Sequence, residues 1–198
     1  MKVGLLCLCF SLICQVAISQ VHFGIRCGMN VANTVKIDGT AEPRIAGYFG
    51  GKVWLPLADK FSFSPELIFS GKGFRRSNFS DQMYPIRLSY ISAPILFDYL
   101  FDTRTSLSLG AEIEYLLSAK QISDSKKHDL KEIYPPDFDL GLCAGIDHQF
   151  SKTLHIDIRY IHGVTKIYRP ASPPSAPGRY DLGGYNRVFQ VGLIYDFQ

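Results

Sequence analysis

Hydrophobic and polar residues alternate along most of this chain with a period of two. Near the C-terminus, Phe189, Val191, Leu193, Tyr195 and Phe197 alternate with Gln190, Gly192, Ile194 and Asp196. Residues 154–160 repeat the pattern, with Leu154, Ile156, Ile158 and Tyr160 against His155, Asp157 and Arg159. Residues 138–147 set Phe138, Leu140, Leu142, Ala144 and Ile146 against Asp139, Gly141, Cys143, Gly145 and Asp147. Residues 106–115 set Leu107, Leu109, Ala111, Ile113 and Tyr115 against Ser106, Ser108, Gly110, Glu112 and Glu114. Successive side chains of a strand point to opposite faces, so each run predicts a strand with one apolar face.

The first half repeats the pattern with more interruptions. Residues 21–31 place Phe23, Ile25, Cys27 and Met29 opposite Gly24, Arg26, Gly28 and Asn30. Residues 45–55 set Ile45, Phe49, Val53 and Leu55 against Tyr48, Gly50, Lys52 and Trp54. Residues 61–71 set Phe61, Phe63, Leu67 and Phe69 against Ser62, Ser64, Glu66 and Ser70. In residues 87–99, Ile91, Ala93, Ile95 and Phe97 oppose Tyr90, Ser92 and Asp98. Each strand comes close to the roughly 9–11 residues that a tilted strand needs to cross a bilayer.

The connections sort by length. Residues 57–60, 101–104 and 150–153 are tight turns, and residues 33–44, 76–86, 122–137 and 169–184 are long, polar and rich in Pro, Gly and Ser. Alternating short and long links suit an up-and-down barrel with two different rims, and a Greek-key sandwich has no reason to produce them. The expected fold is therefore all-β: an eight-stranded antiparallel up-and-down transmembrane β-barrel.

Alternation alone does not say which face is inside. The polar face carries small residues (Gly24, Gly28, Ser106, Ser108, Gly110, Gly141, Gly145), as a narrow lumen requires. The other face is Phe, Leu, Ile and Val, with Tyr99, Tyr115, Tyr160 and Tyr195 placed to form interfacial girdles. The apolar face is thus assigned to lipid. That puts Arg26, Lys52, Glu66, Glu112, Glu114, Asp147, Asp157, Arg159 and Asp196 in the lumen. In so narrow a barrel they are expected to form a packed ion-pair network, and a narrow cation or proton path is the alternative.

The N-terminus supplies an export signal. Lys2 precedes an apolar run over residues 3–13, and Ala17-Ile18-Ser19 resembles a cleavage site, so residues 1–19 are expected to leave and 20–198 to form the barrel. Ile13 precedes Cys14 where lipidation needs a small residue, which argues against a lipoprotein. The mature chain keeps Cys27 and Cys143, expected on opposite walls with opposite facing and hence as free thiols.

Composition adds little chemistry. The net charge of +3 is spread without a basic stripe, so nucleic acid is not an expected partner. His155 and His162 lie near Asp157, but no nucleophile elbow accompanies the serines, and His22, His128 and His148 lack metal-ligand spacing. No catalytic, cofactor or metal site is expected. Pro170, Pro173, Pro174 and Pro177 stiffen the loop at 169–184, as a recognition arm or as a weakly ordered segment.

Several segments resemble PorT-like outer-membrane β-barrel proteins of Bacteroidetes. Residues 23–30 (Phe-Gly-Ile-Arg-Cys-Gly-Met-Asn) look like that family's opening strand, and Tyr90-Ile91-Ser92-Ala93-Pro94 is similar to its Y-x-x-x-P strand. Residues 139–145, the later Arg159-Tyr160 and the closing residues 191–197 match in the same way, although Gln198 follows Phe197 where an aromatic end is usual. The resemblance spans residues 21–197. It implies outer-membrane location, lipid contact, and partners among envelope or secretion proteins reached through the extracellular loops.

Overall fold

In the computed structural model, residues 21–35, 41–77, 83–123, 126–131, 138–167 and 184–197 are described. Residues 1–19, expected as an export signal, and nearly all of the proline-rich loop lie outside them.

Nine strands follow one another: β1 (His22–Val35), β2 (Ala41–Ala58), β3 (Phe61–Ser77), β4 (Met83–Leu100), β5 (Thr105–Ser123), β6 (Lys126–Asp129), β7 (Phe138–Gln149), β8 (Leu154–Gly163) and β9 (Tyr185–Phe197). All pairings are antiparallel between sequential neighbours, except that β7 also pairs with β5, and β1 pairs with β9 to join the ends of the chain. The β4–β5 pairing completes the ring. Eight strands close the barrel, and the short β6 extends the β5 ladder beyond it. Closure leaves no unpaired edge, the condition for strands to cross a bilayer.

Two expectations are corrected. Residues 122–137 were expected as loop, yet 126–129 form β6, with Lys120 paired to Asp129 and Ile122 to Lys127. The strands also run past their expected ends at the long-loop rim: β1 continues to Val35, β2 begins at Ala41 and β5 reaches Ser123. Past the bilayer the outward side chains no longer meet lipid, so the apolar face that marks a strand in the sequence is lost there, while the inward positions Phe74, Ile86 and Ala119 stay buried. At the other rim the turns are as short as expected: Ala58 to Phe61, Leu100 to Thr105 and Gln149 to Leu154.

The apolar face is the outer one. Ile25, Leu67, Leu109, Ile156 and Leu193 are exposed on the barrel wall, while Arg26, Glu66, Ser108, Asp157 and Gly192 face inward. Rings pair along this wall near the short-turn rim, Phe61 with Tyr99 (5.0 Å) and Phe63 with Phe97 (5.3 Å). Farther up, Tyr115 meets Phe138 edge-on at 5.3 Å.

Toward the long-loop rim the lumen changes character. Phe74, Ile86, Leu88, Tyr90, Leu116, Ala119 and Ile167 form a buried apolar cluster inside the barrel. Gly73, at φ +123°, marks the transition; a Cβ there would strike the Ile86 carbonyl, so glycine is required. A bulge opposite Ser89 and Tyr90 lets β5 place Leu116 inward and Leu117 outward before Ala119 turns in again. Cys27 is exposed on the outer wall, Cys143 is buried, and both are free thiols.

Candidate functional site: the lumen network

Each lumen charge belongs to a strand whose other face must meet lipid, so period-2 geometry leaves it nowhere to go but inward. The nine charges read from the sequence are all buried. Six of them meet in one network. Arg26 donates Nη1 to Glu66 (3.2 Å), Nε to Asp157 (3.2 Å) and Nη2 to Gln190 (3.2 Å), and closes a further short contact with Asp157. Arg159 donates Nη1 and Nη2 to the two oxygens of Glu66 at 2.8 and 2.7 Å. Lys52 stands 3.9 Å from Glu66, 3.1 Å from Asp98 and 3.8 Å from Asp147. The network therefore ties β1 to β3 and β8, and β2 to β4 and β7.

The other three lie apart. Glu112 and Glu114 both accept from Lys72 Nζ, at 2.8 and 2.7 Å, and Ser92 donates to Glu114. Asp196 lies near the short-turn rim, 3.9 Å from His22. Three further charged groups complete the lumen. Asp98 accepts from Ser64 and Ser108 at 2.6 Å each, Asp139 accepts from Asn186 (2.6 Å) and Thr165, and Lys72 serves the glutamates. Asp98 and Asp139 stand on the polar face of the alternation, and Lys72 continues the inward parity of Glu66 and Ser70 one residue past the expected strand end.

The electrostatic balance is uneven. Among the described residues eight buried carboxyl side chains face four buried cations, Arg26, Lys52, Lys72 and Arg159. Aromatic rings supplement the cations' environment: the Arg26 guanidinium sits 4.7 Å from the Tyr48 ring centroid and Lys52 Nζ 4.9 Å from Trp54. The polar layers and the apolar cluster above them stack in series along the axis.

The short-turn mouth is more open. A cavity of about 250 Å³ lies there, lined by Trp54, Phe61, Asp98, Asp147 and His155 among others. His155 Nδ1 bonds Asp147 Oδ1 at 2.7 Å, and among the described residues no serine hydroxyl bonds His155. His162 is exposed beside the Tyr160 ring, on the outer wall and away from Asp157. The histidines and Asp157 thus do not assemble a nucleophile–base–acid set, and no group of three or more His, Cys, Asp or Glu among the described residues could hold a metal ion.

Solved outer-membrane barrels share this architecture. The attachment invasion locus protein Ail of Yersinia pestis is 16% identical over 89% of this chain and 98% of its own, with a TM-score of 0.51. Neisserial surface protein A (NspA), from Neisseria, is 12% identical over 88% and 97%, with a TM-score of 0.55. OprG of Pseudomonas aeruginosa is 14% identical over 89% and 96%, with a TM-score of 0.50. At such identities the likeness shows the fold alone. No curated protein matches the sequence. The family model described as outer membrane protein beta-barrel domain matches residues 15–169, so the chain belongs to that family of outer-membrane β-barrels.

Proposed function

We propose that this barrel works at its extracellular rim, as an interaction or assembly component of the envelope, and that its lumen is a structural filling. The observation that carries this reading is the double closure of the lumen. The Arg26–Glu66–Arg159–Asp157 cross-links span it, and the Phe74–Leu88–Leu116 cluster lies above them on the same axis. A hydrated ion would have to break a buried ion pair and part an apolar layer in turn, and both steps are costly. The filling rigidifies a wall that presents the longer connections on one side. Among the described residues no serine hydroxyl bonds His155, which favours this reading over a hydrolase.

In the same reading residues 1–19 direct export and are removed, and the chain sits among the PorT-like barrels of Bacteroidetes, with envelope or secretion proteins as partners. A narrow cation path is the second reading, favoured by the excess of buried carboxylates over cations. Planar-bilayer recording separates the two. The folded barrel is expected to give no discrete conductance steps, and stable cation-selective steps would establish the pore instead. Cross-linking in intact cells, followed by purification from solubilised outer membranes, then identifies the proteins at the rim.

A further inference from the structure

The outer wall near the long-loop rim carries cations where the wall below on β3, β4 and β5 carries mainly apolar side chains. Arg75 on β3, Arg87 on β4 and Lys120 on β5 are all exposed there. Arg87 and Lys120 are direct partners in the β4–β5 register, and Arg75 pairs with Pro85, two positions from Arg87 along β4. The neighbouring positions Phe74, Ile86, Leu88 and Ala119 are buried inside, which turns these three side chains outward. Lys131 joins them, its Nζ 5.5 Å from the centroid of outward-facing Tyr115. The charges of Arg75 and Arg87 also reach Arg44 on β2, whose Nη1 donates to the Lys72 carbonyl at 2.7 Å. Among the described residues two exposed acids, Glu42 opposite Arg75 and Asp129 opposite Lys120, face the four cations Arg44, Arg75, Arg87 and Lys120.

Like charges placed directly across a ladder destabilise it, and Asp129, opposite Lys120 on its other side, offsets only one charge of the Arg87–Lys120 pair. Height supplies the reason. Tyr99, ringed with Phe61, marks the lower edge of the apolar wall, and Arg87 lies twelve residues farther along β4. At about 3.3 Å per residue and a tilt of about 40°, that is about 30 Å along the membrane normal, the far side of the hydrocarbon layer. The outward residues between them are Phe97, Ile95, Ala93, Ile91 and Ser89. On the far wall Arg187 is engaged differently, its Nη1 donating to the carbonyls of Gly163 and Asn186 at 2.8 Å each.

We infer that Arg75, Arg87 and Lys120 form a binding site for the headgroup phosphates of an outer-leaflet lipid, whose acyl chains lie on the wall below, over Ile91, Tyr115 and Leu117. Guanidinium forks suit phosphate oxygens, and adjacent strands about 4.8 Å apart spread the cations over the width of a headgroup with more than one phosphate. The inference rests on the barrel's place in the outer membrane and not on the interaction role proposed above.

The test uses the mature protein folded in detergent, with bisphosphorylated lipid A added and binding read by native mass spectrometry. Lipid A is expected to bind, and R75Q/R87Q/K120Q to weaken it at least about tenfold while keeping the mobility difference between boiled and unboiled samples. R104Q, a cation removed at the opposite rim, is expected to bind as the parent does. Dephosphorylated lipid A is expected to bind the parent protein at least about tenfold more weakly, a comparison that needs no variant to fold. Equal binding by the triple variant, equal binding of the dephosphorylated lipid, or no binding of lipid A at all would overturn the site. Displacement of lipid A by millimolar inorganic phosphate would also overturn it, by making the cations a site for free anions.

Discussion

Arg159 and Glu66, separated by 93 positions in the chain, meet inside the barrel through two parallel hydrogen bonds of 2.8 and 2.7 Å. This fork joins β8 to β3, strands that share no ladder, so it fixes the distance between walls that the backbone leaves free. Glu66 also takes Arg26 at 3.2 Å, so one carboxylate holds two guanidinium groups. Removing it strands the buried Arg159 and leaves Arg26 with Asp157 as its carboxylate partner.

Glu66→Gln is therefore expected to destabilise the folded barrel by about 3–5 kcal/mol, the cost of leaving a buried charge without its partner. Urea titration in detergent, with the folded fraction read from unboiled gel mobility, measures this. A midpoint unchanged from the parent would mean that Asp157 alone satisfies both arginines.

The Lys72 site predicts an asymmetry. One ammonium serves Glu112 and Glu114, so Glu114→Gln removes a negative charge from an acid-rich interior and still leaves Lys72 one carboxylate. Its effect on the same urea titration is expected to be neutral or stabilising. Lys72→Met leaves two carboxylates facing each other and is expected to cost about 3–5 kcal/mol. Equal losses for the two variants would count against the uneven charge balance.

These sites also show what the sequence could and could not carry. Alternation assigns Arg26, Glu66, Asp157 and Arg159 to one face because each strand there has lipid on its other side, and the structure places all four in the lumen. Lys72 escaped because its strand was expected to stop at Gly71, where the alternating signal fades into Gly, Lys and Arg. The apolar cluster escaped for a different reason: Phe74, Ile86, Leu88 and Leu116 obey inward parity but carry the chemistry of the outer face. A bulge opposite Ser89 and Tyr90 leaves no residue signature, so the shift at Leu117 needs coordinates. Which strand pairs across the lumen with which charge is a tertiary fact that no period encodes.

Ile156 and Leu193 are paired neighbours on β8 and β9, both exposed on the apolar wall. Ile156→Arg is expected to cost about 2–4 kcal/mol if the position lies near the bilayer midplane, and less in a thinner lipid. Refolding into vesicles of two acyl-chain lengths measures both effects. A silent Ile156→Arg would mean that this wall faces water.

Tyr48 lies close against the glycines paired at Gly28 and Gly192. A Cβ at Gly192 would land on the Tyr48 hydroxyl and within 2.9 Å of both Asp157 Oδ1 and the Cys27 carbonyl. Gly192→Ala must therefore push the Tyr48 ring away from Arg26, which it covers at 4.7 Å, or spread the β1–β9 ladder. The hydroxyl itself has no hydrogen-bond partner among the described residues, so Tyr48→Phe deletes a group that is buried without compensation. The two changes should consequently have opposite signs: Gly192→Ala destabilising by about 1–3 kcal/mol through overpacking, and Tyr48→Phe neutral or mildly stabilising. Because both act on the same contact, their effects should not add; Tyr48→Phe should recover part of the loss in the double variant by freeing the space the new methyl needs. Urea midpoints for the four proteins test this directly. Strict additivity would show that the ladder at Gly192, and not the Tyr48 ring, bears the strain.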